Sequence, residues 1–244
     1  MKVFKIEVEN YRLLKKFHID LEDELSLIIG KNNTGKTSLL SCLEKFLNPS
    51  DKNKFSVDDF NLIFKNLLNT LIVGDAVLAE VDYPFTGISL KLFIEYKEAD
   101  NLANISRVMM DLDPENNVVV LGFDYSLVYF EYLNLRRDYR DFIASEQAKL
   151  TENPSYKIRD FFDFIKRDNS KYFKPGRKSF EYNKDTQKVN EIRFIDLDKE
   201  LVSIKEILNF KYISAKRDVT NKDADKTLSG QTSKIYKRTE ASNE

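Results

Sequence analysis

Eight consecutive residues, Gly30-Lys31-Asn32-Asn33-Thr34-Gly35-Lys36-Thr37, leave this chain little freedom in how it folds. They match the pattern G-x-x-x-x-G-K-[ST] at every fixed position. Gly30 and Gly35 allow the backbone to curl so that successive N–H groups point inward at an anion. Lys36 is suited to place its ammonium between the β- and γ-phosphates of a nucleotide. Thr37 is suited to offer its hydroxyl to the Mg²⁺ that bridges the same oxygens, so it is the candidate metal ligand. Lys31, Asn32, Asn33, Thr34 and Ser38 complete the candidate loop. Leu25 to Ile29 is a short unbroken apolar run, which predicts a strand buried on both faces. Leu39, Leu40, Leu43, Phe46 and Leu47 recur at helical spacing, and Asn48-Pro49 stops that helix. Strand, loop and helix are the setting that a phosphate-binding loop requires, because the helix amino terminus adds its own positive end to the site.

Composition narrows the class. The 244 residues carry Lys+Arg 39 against Asp+Glu 40, a formal net charge of -1, with 18 Phe and 12 Tyr. So many aromatic residues exclude a disordered linker. A single cysteine, Cys42, excludes an intrachain disulfide and any zinc site built on two thiolates, and a single histidine, His18, excludes a two-histidine site. Cys42 reads as a small core residue and His18 as an ordinary strand residue. No apolar run is long enough for a membrane span, and Lys2, Lys5, Glu7 and Glu9 exclude a signal-peptide core at the amino terminus. A soluble, cytoplasmic chain is expected.

Along the chain, Phe4, Ile6 and Val8 alternate with charged residues, and Phe17, Ile19 and Leu21 repeat that period. Asn10-Tyr11-Arg12 reads as the turn of this opening hairpin. A helix is predicted from Ser56, with Asp58 and Asp59 in its first turn, where the dipole favours acids. Further strands are predicted at Ala76 to Asp82, Ile88 to Tyr96 and Val118 to Phe123. A helix is expected over Leu135 to Leu150, a second helical face at Ile158, Phe161, Phe162 and Ile165, and a break at Pro175-Gly176. Phe194-Ile195 is expected as strand, Leu201, Ile204 and Leu208 as helix, and Phe210 to Ile213 as strand. The fold class is α/β, an amino-terminal P-loop lobe with a mixed sheet and an inserted α+β segment. The expected divisions are a core lobe over 1–100, the insertion over 101–177, a return to the lobe over 178–215, and a polar connector over 216–244.

The opening, Asn10-Tyr11-Arg12 followed by Gly30-Lys31-Asn32-Asn33-Thr34-Gly35-Lys36-Thr37, resembles the start of ABC-type ATPase heads that act on DNA, the SMC-like, RecF-like and OLD-family proteins. Their openings read I-x-N-[FY]-R and then G-x-N-x-x-G-K-[ST]. Ser56-Val57-Asp58-Asp59-Phe60 and Tyr212-Ile213-Ser214-Ala215-Lys216-Arg217 are similar to OLD-family segments. That family includes ATP-dependent endonuclease subunits of antiphage systems such as Gabija and of some retrons. The resemblance implies ATP and Mg²⁺ as cofactors and an Arg12 that reaches the bound nucleotide. It also implies a head-to-head homo-oligomer, and DNA, a partner protein or retron nucleic acid as partners. Asp59 would lie near the metal or its water, although an acid in a first helical turn explains it equally.

An ABC-type head also needs an apolar strand ending in two acids and a signature loop. Val77 to Asp82 and Phe194 to Asp198 carry lone acids at other spacings. Leu228-Ser229-Gly230-Gln231 lacks one glycine of a signature and reads as a polar loop. No catalytic residue is therefore assigned, and the nuclease of such a protein is expected beyond this chain. Lys166, Arg167, Lys171, Lys174, Arg177 and Lys178 enclose one acid, Asp168, together with Tyr172 and Phe173. Such a segment suits phosphate contact and base stacking, or else is a solvated loop. The function expected is that of the Mg-ATP-binding lobe of a DNA-acting ATPase in antiphage defence. The alternatives are a nucleotide-gated scaffold that does not hydrolyse ATP and a P-loop kinase, and the Asn-Tyr-Arg hairpin ahead of the loop argues against the kinase.

Overall fold

Strand β1 (Lys2–Tyr11) turns back through Arg12 into β2 (Leu14–Asp20), forming the expected hairpin with Val8 opposite Phe17. On its other side β1 pairs with β3 (Gly87–Glu95), which pairs with β4 (Val118–Leu127), then β5 (Phe173–Asn183) and β6 (Lys188–Asp196). A computed structural model provides this description for residues 1–31, 34–97, 99–110 and 116–213. The strand order is β2-β1-β3-β4-β5-β6, and all five pairings are antiparallel where a mixed sheet was expected. The α/β class stands. The region 101–177 supplies β4 and the beginning of β5 to this same sheet, and Met1–Leu208 form one compact unit.

The central strands are apolar because both of their faces are covered. Ile88, Leu90, Leu92 and Ile94 form one buried row of β3, while Phe93 on the opposite face packs with Val120 and Tyr182. Helix α1 (Lys36–Leu47) lies against β1 and β3, burying Leu39, Cys42, Leu43 and Leu47. The edge strand β2 instead carries Lys15, Lys16 and His18 exposed, charges that discourage pairing with another chain.

Helix α2 (Leu62–Val73) begins later than the predicted start at Ser56. Ser56 to Asp59 closes a 3₁₀ turn, and Asn61 caps the helix by accepting from the Ile63 N–H at 3.0 Å. Ala76 to Asp82 is not a strand. Tyr129 donates to the Leu78 carbonyl at 3.1 Å and the Leu78 N–H donates to Tyr132 at 3.3 Å, so side chains satisfy a backbone that no ladder reaches. Helix α3 (Tyr129–Glu152) starts ahead of the predicted Leu135, and α4 (Phe161–Ile165) and α5 (Ile204–Ile207) are short. Pro175-Gly176 lies inside β5 rather than breaking the order. β6 pairs with β5 only from Lys178 onward, so one side of Pro175 carries no ladder and its missing N–H costs nothing there.

Leu25 to Ile29 is neither strand nor buried. Leu25, Leu27 and Ile29 are 81%, 78% and 82% exposed. No described strand runs beside them, and an extended segment without a neighbour has nothing to bury its side chains against. Phe210 to Ile213 is likewise irregular. The 216–244 connector and the Leu228-Ser229-Gly230-Gln231 reading lie outside the described residues.

Arg136 stands among the charged residues Arg137, Asp138, Arg140 and Asp141, a sequence context that suits a solvated helix face. It is buried instead, and its guanidinium donates to the carbonyls of Leu71 and of Gly74, the latter at 2.6 Å. A cation at the carboxyl end of α2 satisfies carbonyls that the helix leaves without partners. Replacing Arg136 with Met is expected to lower stability by about 1–3 kcal/mol by orphaning these acceptors. Urea denaturation checks this, and an unchanged midpoint would show that water replaces the cap.

Candidate nucleotide site

Gly35 sets the geometry of the loop. Its φ of 94° is left-handed, and a Cβ at this position would stand 2.8 Å from Leu14 Cδ2, so glycine is required for two independent reasons. Directly after it α1 opens, and its first N–H groups have no partners within the helix. Lys36 folds back over the loop, donating to the carbonyl of Gly30 and to that of Lys31 at 2.5 Å, while Thr34 donates to the Lys31 carbonyl at 2.9 Å. Thr37 is exposed at the helix mouth and Ser38 is buried beneath it. Asn32 and Asn33 lie outside the described residues. A helix amino terminus, a lysine within reach of the loop and an accessible hydroxyl together fit a triphosphate with Mg²⁺.

The hairpin turn beside the loop is held by one carboxylate. Asp59, 1% exposed, accepts from Arg12 Nε at 2.9 Å, Lys45 Nζ at 2.8 Å, the Ser56 N–H at 2.9 Å and the Tyr11 hydroxyl at 3.3 Å. Tyr11 is itself buried and bonded to Ser41 of α1 at 2.9 Å. Backbone bonds reinforce the clamp: Arg12 N–H donates to the Asp59 carbonyl at 2.7 Å, and Asn61 N–H to the Asn10 carbonyl at 2.9 Å. They hold Asn10 and Arg12 at φ of 61° and 47°, a conformation that arginine seldom adopts. Burial alone would disfavour the charged form of Asp59. The Lys45 and Ser56 hydrogen bonds, the Lys45 charge and the Arg12 hydrogen bond outweigh it and hold the carboxyl below its ordinary value. Both oxygens of Asp59 are thus committed to the protein, which favours its structural reading over the metal one. Among the described residues no group of three or more His, Cys, Asp or Glu is placed to hold a metal.

Sequence reasoning marked Arg12 and Asp59 separately and missed Lys45, Ser41 and Asn61. No local pattern could have joined them, because they meet only through tertiary packing. Leu13, next to Arg12, lies 4.0 Å from where a Gly35 Cβ would stand, so the turn abuts the loop.

The six basic candidates do not share one free surface. Lys166 pairs with Asp58 at 3.7 Å, Lys171 with Asp138 at 2.6 Å, Arg177 with Asp198 at 2.7 Å and Lys178 with Asp124 at 3.3 Å. Among the described residues, Lys174 donates only to the Ser170 carbonyl, at 2.9 Å, and Arg167 makes no ion pair. Tyr172 and Phe173, expected as stacking platforms, are buried.

Comparison with known proteins then gives the family. A family model described as AAA ATPase domain matches residues 1–244. The chain belongs to the AAA ATPase domain family. Endonuclease GajA of Bacillus cereus (strain HuB5-5) is 25% identical over 226 residues, which is 90% of this chain and 29% of that protein. The chain therefore spans less than a third of this relative's length. Both findings agree with the resemblance to ABC-type ATPase heads carried by Asn10-Tyr11-Arg12 and Gly30 to Thr37, and with the likeness to OLD-family proteins carried by Ser56 to Phe60. No helix of this AAA ATPase domain among the described residues is long and apolar enough to cross a membrane.

Because the Asp59 carboxyl is depressed, its contribution to stability is present above the unfolded value of about 3.9 and is lost as pH falls through the folded value. Asp59→Ala is expected to cost about 3–5 kcal/mol near neutral pH, since two cations lose a buried partner. The difference from wild type should shrink as pH falls from 5 to 3. Urea titrations across that range check both the size and the direction.

Proposed function

We propose that this chain is the Mg-ATP-binding lobe of a DNA-acting ABC-type ATPase, an OLD-like nuclease of antiphage defence. The observation that carries the reading is the complete phosphate loop, with left-handed Gly35 opening directly onto the amino terminus of α1. In this reading the free N–H groups of α1 and the Lys36 ammonium bind the phosphates. Thr37 ligates Mg²⁺, which when bound supplies charge neutralisation at the phosphate oxygens. Arg12, kept at the loop's edge by Asp59, adds a positive charge toward the nucleotide. The exposed Leu25, Leu27 and Ile29, with Leu13 and Leu40 also exposed, support a lobe that other parts of a larger head cover. Head-to-head association and DNA contact, with Lys166, Arg167, Lys171, Lys174, Arg177 and Lys178 as candidates, belong to that larger assembly, as does nuclease activity like that named for GajA.

A second reading, a scaffold gated by nucleotide without hydrolysis, is favoured by Asp59, whose oxygens are committed to cations and N–H groups. ATP turnover by the whole protein separates the two.

Lys36→Ala is expected to weaken ATP binding tenfold to hundredfold, about 1.5–3 kcal/mol, through loss of a charge-assisted contact. Titration calorimetry reads this, and unchanged affinity would remove the site. Arg12→Ala should weaken ATP binding by less, at the expense of some stability, because the Asp59 clamp loses one donor. Phosphate release by the 244-residue chain alone should stay near background, since the water-positioning acid and signature loop are unassigned in it. Robust turnover that depends on Lys36 in this chain would overturn the proposal that it is one lobe of the catalytic unit.

A further inference from the structure

At the opposite end of α1 from the phosphate loop lies a cavity of about 880 Å³ between that helix, the loop leading into the 3₁₀ turn, β4, β5 and α5. The wall takes Lys45, Phe46 and Leu47 from helix α1, so the cavity stands about 14–17 Å along the helix from Lys36. Its size falls within the range of small-ligand sites. Two features of its wall are unusual together.

The first is a bank of aromatic rings. Phe55 stacks on Tyr125 with centroids 4.8 Å apart and planes 15° from parallel, and Tyr125 stacks on Phe173 at 5.6 Å. Phe46 leans on Phe55 at 4.7 Å. Tyr125 and Phe173 are buried, whereas Phe46 and Phe55 are half-buried and offer the accessible aromatic surface. The second feature is charge. Most ionic groups of the wall are neutralised: Lys54 by Asp51 at 2.9 Å, Arg177 by Asp198 at 2.7 Å, Lys45 by Asp59 at 2.8 Å and Asp124 by Lys178 at 3.3 Å. Lys174 and Lys205 remain, both exposed and neither with an acid partner among the described residues.

A planar apolar platform beside two uncompensated ammonium groups is complementary to a flat ring system carrying an anion. We propose that this cavity is a second nucleotide site, separate from the phosphate loop, that stacks a base on Phe46 and Phe55 and neutralises its phosphate with Lys174 and Lys205. The nucleotide unit comes either from a free mononucleotide or from a single strand. The assignment goes beyond the ATP reading and does not rest on it.

The test uses the 244-residue chain carrying Lys36→Ala, without Mg²⁺, so that the phosphate loop does not report. Two probes are titrated: thymidine monophosphate, and a fluorescein-labelled pentathymidylate. At least one should bind, with an affinity that falls as salt rises. Lys174→Glu combined with Lys205→Glu should weaken binding at least tenfold, with an unchanged circular dichroism spectrum because both residues are exposed. Phe46→Leu should weaken it roughly tenfold through lost stacking. Binding of the mononucleotide identifies a free ligand, and binding of the oligonucleotide alone identifies a strand; both sustain the site. The proposal is overturned if neither probe binds, or if the charge-reversed variant binds as well as its parent. Capture of an acidic, tyrosine-rich peptide in the absence of any nucleotide binding would assign the cavity to a protein partner and equally overturn it.

Discussion

A buried carboxylate with two cations is an arrangement whose parts cannot be removed singly, and Asp59 is the point at which three segments of this fold meet. Arg12 brings the β1–β2 turn, Lys45 brings the carboxyl half of α1, and Ser56 brings the 3₁₀ turn that carries Asp59 itself. Desolvating the acid is unfavourable, and the geometry compensates only when all of these donors are present. The left-handed backbone at Asn10 and Arg12 persists for the same reason, since backbone bonds to Asp59 and Asn61 hold the turn from the other side. Tyr11 extends the tie to Ser41, so the hairpin and α1 are fixed relative to one another along two lines.

The nucleotide loop inherits its position from that tie. Leu14, at the start of β2, occupies the space where any side chain at residue 35 would stand. The hairpin therefore shapes the amino terminus of α1 as well as supporting its middle. The same helix ends in the aromatic cavity, with Lys45 shared between the cavity wall and the Asp59 cluster. One helix thus carries the candidate phosphate loop at one end and an apolar, cation-bearing recess at the other. Across the sheet, β3 and β4 provide the platform, with most of their side chains buried on both faces.

Local pattern revealed the glycine bend at Gly35, α1, the opening hairpin and the two central strands. These features are encoded over short distances: glycine freedom at Gly35, helical spacing from Leu39 to Leu47, and apolar-rich segments from Ile88 to Tyr96 and from Val118 to Phe123. The misread segments share one trait, which is that distant groups decide their state. Leu25 to Ile29 has strand composition without a strand beside it. Ala76 to Asp82 has strand composition, but two tyrosines of α3 take its backbone bonds. Pro175 reads as a breaker and is tolerated because β6 ends opposite Lys178.

Charge shows the same division. Six cations between Lys166 and Lys178 read as a basic surface, because their partners Asp58, Asp138, Asp198 and Asp124 lie elsewhere in the chain. Residue order was enough to mark Gly30 to Thr37 as a candidate phosphate-binding loop, and the family match spans the same residues. Tertiary structure alone decided which charges remain uncompensated, that Arg136 caps a helix instead of meeting solvent, and that Asp59 serves the fold. The physical reason is that a loop's conformational requirements are local, whereas neutralisation and burial depend on which remote side chains the folded chain brings within a few ångströms.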